Sequence, residues 1–325
     1  MRAVHILTRI PGLGASVQQL MPAVTVVDHS ASVEEESMKP LEQFAGLAEA
    51  EVLLADPDLA AQVINKLPKL QWLQCTWAGV DRIMDSVAER PAARITRFGG
   101  AFGPAMAEYV IGQIIARERN FELMREQQKK VYWWQAPFRS YRLLSTLSIG
   151  ILGTGDIGKE IARICKLFGM KVWAMVRTIP TERKEYIDEY RTNDGLAEIL
   201  SACDYICSVL PNTVETRGLL NGTLLKNCMP KKAVFINVGR GSVICTDDLL
   251  TALKEGWIAA AILDVFEREP LPGDCELWRL PNVVLTPHVA SMSMSWQVSD
   301  VFANNYERFT ADEPLRYLVD WEKKY

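Results

Sequence analysis

Three segments in the last third of the chain hold the residues best suited to chemistry: Asn237-Val-Gly-Arg-Gly-Ser-Val243, Leu263-Asp-Val-Phe-Glu-Arg-Glu-Pro270 and Leu285-Thr-Pro-His-Val-Ala-Ser291. They place an arginine, a glutamate and a histidine at or just after hydrophobic runs of strand character. Guanidinium is a permanently charged fork that matches a carboxylate. Imidazole titrates near neutral pH and can pass a proton in either direction. A carboxylate next to it fixes its tautomer and favours its charged form. Such a set would bind and protonate a 2-oxo acid, or run in reverse on a 2-hydroxy acid. Each residue also has a plainer reading as a solvated side chain on a loop, and Glu267 competes with Glu269 as the acid.

A second constellation is Gly153-Thr154-Gly155-Asp156-Ile157-Gly158, between a strand-like run, Ile149 to Leu152, and a helix-like run starting near Ile157. In that setting the first glycine permits a tight turn and the second lets a pyrophosphate approach the backbone. The third allows close helix-to-strand packing, with the helix N-terminus facing the anion. A dinucleotide is therefore expected here. The usual acidic residue for an adenosine ribose would fall about 20 residues later, where this chain has Arg177 followed by Thr178. A guanidinium and a hydroxyl suit a 2′-phosphate, with Arg183 and Lys184 close behind. The expected cofactor is NADP(H), with NAD(H) also usable if Arg177 is only a solvated strand end.

These groups need a frame, and the chain supplies alternating strand-like and helix-like runs throughout, the pattern of parallel sheets with crossover helices. Val4 to Thr8, Val24 to Val27, Val52 to Ala55, Leu70 to Thr76 and Ile95 to Phe98 read as strands of a first unit, with a helix over Ala60 to Leu67. The pattern breaks at Gly99-Gly-Ala-Phe-Gly-Pro104, and one long helical stretch is expected from Ala105 to about Lys130. A second unit then has strands at Leu147 to Leu152, Lys171 to Val176, Asp204 to Leu210, Ala233 to Val238, Ile258 to Leu263 and Val283 to Thr286. Its helices fall at Ile157 to Phe168, Leu196 to Ala202 and Asp247 to Lys254, the last capped by Thr246 or Asp247. Met292 to Phe309 reads as a helix that returns the chain to the first unit. The expected fold is α/β: two doubly wound parallel-sheet domains, a Rossmann-type dinucleotide-binding domain (104–287) inserted in a flavodoxin-like substrate-binding domain (1–103 and 288–325).

Composition agrees with this frame and narrows the partners. At 325 residues and 49% hydrophobic the chain can bury the cores of about two domains. A net charge of −4 gives no field that favours nucleic acid or an anionic membrane. No apolar run approaches the ~18 residues of a bilayer span, and the N-terminus reads as a first strand rather than a signal peptide. The seven cysteines are odd in number and lack a C-x-x-C pair. They read as reduced core thiols of a cytoplasmic protein, and no metal site is expected.

Taken together, Gly153-x-Gly155-x-x-Gly158, Leu210-Pro-Asn-Thr213 with Glu215-Thr216, Asn237-Val-Gly-Arg-Gly241, Asp264-Val-Phe-Glu-Arg-Glu-Pro270 and Pro287-His288 resemble the D-isomer-specific 2-hydroxyacid dehydrogenases. The branch most similar is the glyoxylate/hydroxypyruvate reductases. The match runs over most of Leu147 to Ser291 and is thinner in the first unit, through Trp77-Ala-Gly-Val-Asp81. The resemblance implies that Arg240 pairs with the substrate carboxylate and polarises the 2-oxo oxygen. It makes His288 the proton donor and Glu269, which is followed by a proline as in the family, its partner. Leu210, Pro211, Thr216, Val238 and Gly239 would line the cofactor, and Asp264 would hold its carboxamide. Backbone N–H groups of Ala78, Gly79 and Val80 would bind the carboxylate from the other side, with Trp77 limiting the pocket to small acids. The stretch 105–142 commonly supports dimers in this family, and Val131-Tyr-Trp-Trp-Gln-Ala-Pro-Phe138 is rich in aromatics, so a homodimer is expected. The alternatives are an NAD-dependent dehydrogenase of longer acids and a dinucleotide-sensing, corepressor-like protein. Formate oxidation is disfavoured by the acidic Glu269, and phosphoglycerate oxidation by the short chain.

Overall fold

The computed structural model describes residues 2–30, 33, 44 and 46–322. The chain divides into two units, Met1–Ala101 with Ser293–Tyr325, and Phe102–Met292. Unit 1 opens with β1 (Val4–Leu7), α1 (Leu13–Leu20), β2 (Val26–Asp28), β3 (Val52–Ala55), α2 (Pro57–Val63), β4 (Trp72–Cys75), α3 (Asp81–Ser86) and β5 (Arg94–Thr96). Its strands form a parallel sheet in the order β2-β1-β3-β4-β5. Strands β1, β3 and β4 are buried at every position, and so they read as continuous apolar runs rather than alternating ones. The expected helix at Ala60 begins earlier, because Pro57 occupies its first turn, where the missing N–H costs nothing.

Unit 2 starts with α4 (Gly103–Glu118) and α5 (Phe121–Lys129). A single helix was expected here. Asn120, in the left-handed region at φ 51°, breaks it in two, a conformation that asparagine tolerates better than most residues. There follow β6 (Ser148–Leu152), α6 (Asp156–Leu167), β7 (Lys171–Met175), β8 (Glu189–Arg191), α7 (Leu196–Ala202), β9 (Tyr205–Ser208), β10 (Val234–Asn237), α8 (Thr246–Lys254), β11 (Ala260–Leu263) and β12 (Val283–Leu285). The sheet order is β12-β11-β10-β9-β6-β7-β8. Alternate residues of β10 enter different cores. Val234 and Ile236 join Val110 and Ile114 of α4 and Ile161 of α6, whereas Phe235 joins Ile199 of α7 and Leu249 of α8. Both faces of the sheet are therefore covered, as in a doubly wound fold. Each fully buried aliphatic or aromatic side chain contributes ~2 kcal/mol from area removed from water.

The register lines up the strand ends. Met175, Leu152, Ser208, Asn237, Leu263 and Leu285 are successive cross-strand partners in one row. Every candidate in this unit lies a few residues past that row, at the carboxyl edge of a parallel sheet. The chain runs from β6 to β7 on one side and later resumes at β9 on the other, so the β6/β9 boundary is the topological switch point.

The return helix, α9 (Ser295–Thr310), packs against α1 in unit 1, and its Phe302 stacks on Trp72 with ring centroids 5.2 Å apart. Asn305 of α9 donates to Gln74 Oε1 at 3.0 Å and accepts from the Arg316 N–H at 2.9 Å, a buried polar weld between α9 and β4. The helix starts at Ser295 rather than Met292, and residues 288–292 fall in unit 2 rather than in the outer domain expected to begin at His288. The reason is that Ala290 packs into the unit 2 core and the backbone from His288 to Ala290 is bonded to Asp264. Helices α1 and α3 and strand β8 were not anticipated: α1 and α3 are short, and β8 is three residues long at the sheet edge.

Among the described residues no helix is long and apolar enough to cross a membrane, and no cluster of His, Cys, Asp or Glu could hold a metal ion. All seven cysteines are free thiols and five are buried.

Candidate active site

The glycine loop joins β6 to α6 at the switch point. Gly153 sits at φ 99°, and a Cβ on Gly158 would lie 2.0 Å from the Gly153 carbonyl oxygen, so the helix can start this close to the strand only without a side chain there. A Cβ on Gly155 would meet no atom within 4 Å, which leaves its backbone open to an incoming phosphate. Thr154, Asp156 and Ile157 occupy the same turn and the first residues of α6. These residues fit a dinucleotide, whose pyrophosphate would face the α6 N-terminus.

Arg177 and Thr178 follow β7, beside the glycine loop, and both are exposed. Glu215 is held below the ordinary carboxylate range by the Thr213 hydroxyl, then by its own backbone N–H, with the nearby charge of Arg177 adding to this. Arg183 and Lys184, the other expected cations, have other partners. Arg183 lies over the Tyr190 ring at 5.7 Å, and Lys184 pairs with Glu182 at 3.3 Å.

The loop after β9 carries Leu210 and Pro211. The hydroxyl of Thr216, expected to touch cofactor, donates to the Pro211 carbonyl at 2.6 Å and accepts from the Thr213 N–H at 2.9 Å, and so shapes this loop. Asn212 Oδ1 accepts from Ser242 at 3.0 Å and ties this loop to the turn that follows Arg240.

Val238, Gly239 and Arg240 leave β10 in a turn locked by Asn237. The Asn237 amide donates to the Arg240 carbonyl at 3.0 Å and accepts from the Gly239 N–H at 3.2 Å. A Cβ on Gly241 would fall 1.9 Å from the Phe266 carbonyl carbon, so this turn rests directly on the segment that bears the acids. Arg240 Nη1 donates to the Gly239 carbonyl at 2.8 Å, which folds the guanidinium back along its own turn.

The two competing acids have separate work. Glu267 accepts from the Thr246 N–H at 2.8 Å and from its hydroxyl at 3.0 Å, and so caps α8, whose preceding residue is Cys245 rather than the expected Thr246 or Asp247. Glu269 Oε2 lies 2.9 Å from His288 Nδ1, while its Oε1 accepts from the Phe266 N–H at 2.9 Å. Burial would raise the Glu269 carboxyl, but the His288 hydrogen bond, the Phe266 N–H and the charges of His288 and Arg240 outweigh it and hold the group below its ordinary value. Nδ1 thus has an anionic partner, and Nε2 is the ring nitrogen left to face a substrate.

His288 sits at φ 56°, in the left-handed region, at a cost of ~1 kcal/mol or more. Asp264 holds it there. The Asp264 carbonyl accepts from the His288 N–H at 2.9 Å. Its carboxylate, 2% exposed, accepts from the Val289 N–H (2.9 Å), the Ala290 N–H (3.0 Å) and the Thr286 hydroxyl (2.6 Å). Oδ1 takes two of these donors and Oδ2 one, so the carboxylate is bonded chiefly to the loop that carries His288. Tyr109 of α4 reaches Thr286 Oγ1 at 2.7 Å. Neither Tyr109 nor Thr286 was singled out from sequence. Thr286-Pro-His288 was in view, but a tyrosine 177 positions away from its partner gives no local signal.

In unit 1, Trp77 to Val80 form the loop between β4 and α3. The Trp77 carbonyl accepts from the Phe98 N–H at 2.9 Å, and Ser293 Oγ donates to the Thr76 carbonyl at 2.6 Å. Trp77 is partly exposed, Ala78 and Gly79 are half-buried, and the Val80 side chain is part of the unit 1 core.

Because the folded Glu269 carboxyl is depressed, its contribution to stability is present above 4.5, its ordinary value, and is lost as pH falls below it. The side chain is about one-third exposed, so the effect is screened and at most about 1 kcal/mol. Urea unfolding should show wild type ahead of Glu269→Gln at pH 6 and the two converging toward pH 3. A gap that widens with acid would refute the pairing.

Comparison with known proteins shows the family. The family described as "D-isomer specific 2-hydroxyacid dehydrogenase, NAD binding domain" matches residues 111–290. A D-isomer specific 2-hydroxyacid dehydrogenase family protein from Aeromonas salmonicida is 36% identical, with a TM-score of 0.86 over 98% of this chain and 99% of that one. An NADPH-dependent glyoxylate/hydroxypyruvate reductase from Sinorhizobium meliloti, solved with NADP and sulfate, is 27% identical, with a TM-score of 0.85 over all of both chains. A D-isomer specific 2-hydroxyacid dehydrogenase from Xanthobacter autotrophicus, solved with NADPH and MES, is also 27% identical, with a TM-score of 0.85 over 100% and 99%. The chain therefore belongs to the D-isomer specific 2-hydroxyacid dehydrogenases, a family of nucleotide-dependent oxidoreductases.

Proposed function

We propose that this chain is an NADPH-preferring reductase of small 2-oxo acids, glyoxylate and hydroxypyruvate, to D-2-hydroxy acids. The observation that carries this reading is the 2.9 Å pair of His288 Nδ1 and Glu269, with the charge of Arg240 acting on the same carboxylate. Arg240 binds the substrate carboxylate and polarises the 2-oxo oxygen. His288 gives its proton from Nε2 to that oxygen and takes it back in the reverse direction. Glu269 fixes the tautomer and orients the ring. The bound dinucleotide supplies the hydride.

The cofactor preference rests on Arg177 and Thr178 at the end of β7, where a ribose-binding carboxylate would otherwise stand, and on the NADP and NADPH held by the similar reductase and dehydrogenase. Leu210, Pro211, Val238 and Gly239 line the nicotinamide half. Unit 2 is the dinucleotide-binding domain and unit 1 the substrate-binding domain, with backbone donors at Ala78 to Val80 and with Trp77 restricting acid length.

Steady-state oxidation of NADPH and NADH with glyoxylate, hydroxypyruvate, pyruvate and 2-oxobutyrate tests all of this. NADPH and the two small hydrophilic acids should give the highest kcat/KM. Arg177→Ala should raise KM for NADPH by about tenfold while sparing NADH, and Trp77→Ala should shift the profile toward 2-oxobutyrate. A preference for NADH with longer acids would favour the other dehydrogenase reading. Tight cofactor binding without turnover would favour a sensor.

The chain also forms a homodimer in this reading. Val131 is 93% and Trp133 87% exposed, and Tyr132 stacks on Trp134 beside them, an apolar patch that one copy alone leaves in water. Light scattering should give twice the chain mass, and Trp133→Glu should halve it. A monomeric mass for the wild type would end the proposal.

A further inference from the structure

The Asp264 carboxylate accepts two backbone N–H bonds, from Val289 and Ala290, and Thr286 Oγ1 lies 2.6 Å from the oxygen that Val289 uses. An oxygen placed against such an acceptor must donate, so the single Thr286 proton points to Asp264. The Tyr109 hydroxyl, 2.7 Å from the same Oγ1, must then donate to it. Burial above all, with the charge of Asp264 adding, pushes the Tyr109 phenol above its ordinary value, so it keeps its proton at neutral pH. The result is one directed chain, Tyr109 to Thr286 to Asp264, which runs from a well-packed helix to the residue that grips the His288 loop.

We propose that Tyr109 and Thr286 are positioning residues that hold the His288 loop in its left-handed conformation and thereby set the rate of proton transfer, an inference that rests on His288 being the proton donor. Val110 and Ile114 anchor α4 in the unit 2 core and Tyr109 packs against that core, so the helix gives the relay a fixed end. The loop itself is exposed at Val289 and at the His288 ring, and apolar burial at those two positions does little to fix it. Besides the Ala290 side chain, hydrogen bonds from Asp264, Glu269 and Tyr109 fix it, and of these Tyr109 supplies the bond that comes from a helix. A ring displaced by a few tenths of an ångström retains its pairing with Glu269 but meets the substrate oxygen at a poorer distance.

The test is steady-state kinetics of Tyr109→Phe, Thr286→Val and Thr286→Ser with NADPH and glyoxylate, in H2O and D2O, with His288→Ala as the reference. Tyr109→Phe should lower kcat about tenfold and enlarge the solvent isotope effect, while KM for NADPH stays within about twofold. Thr286→Val should match it, Thr286→Ser should restore near-normal turnover, and the double variant should be no worse than either single one, because the two act as one unit. Wild-type kcat and isotope effect in Tyr109→Phe, with His288→Ala inactive, would overturn the relay and leave the proton-donor reading standing. Substantial turnover in His288→Ala would overturn that reading and the relay with it.

Discussion

The buried carboxylate of Asp264 is the interaction on which this site depends. It stands one residue past β11 and receives three donors from the next crossing of the chain, Thr286, Val289 and Ala290. A buried carboxylate is costly unless its lone pairs are filled, and here three donors from the segment that carries His288 fill them. Satisfying the charge and placing the imidazole are therefore the same event. The left-handed backbone at His288 is held because leaving it would strip donors from an anion with little access to water.

The sheet makes this arrangement possible. Six strand ends stand in one register row, so residues remote in sequence but each just past a strand become neighbours at one edge. Asn237 locks the turn that bears Arg240, and Gly241 lets that turn rest on the Phe266 backbone. Phe266 in turn donates to Glu269, which bonds His288. The arginine turn, the acid and the histidine are linked through the side chains of Asn237 and Glu269 and through the backbone contact at Gly241, which leaves no room for a Cβ.

Much of this was legible in the sequence, and for identifiable reasons. The buried parallel strands are continuous apolar runs, the glycine loop stands between a strand-like and a helix-like run, and Arg240, Glu269 and His288 sit in short motifs. Thr216 and the choice between Glu267 and Glu269 were less legible, because they depend on which backbone group lies opposite a side chain. Glu267 caps α8 and Thr216 shapes its own loop; neither role has a local signature. Asp264 was noticed, but its partners follow it by more than twenty residues and bond through backbone N–H groups, which every sequence carries. Tyr109 lies on another element altogether. The break at Asn120 and the extension of unit 2 to Met292 were hidden because helix and loop limits are set by tertiary hydrogen bonds rather than by composition.

Asp264 holds the loop that carries His288, which the proposed function makes the proton donor. The most direct measurement compares Asp264→Asn with wild type in two quantities: kcat with NADPH and glyoxylate, and the NADPH dissociation constant from fluorescence titration. An amide keeps the shape but turns one acceptor into a donor facing an N–H. The account therefore predicts a loss of about 100-fold in kcat with cofactor affinity within about twofold. Near-normal turnover at saturating NADPH, together with weakened cofactor binding, would contradict it.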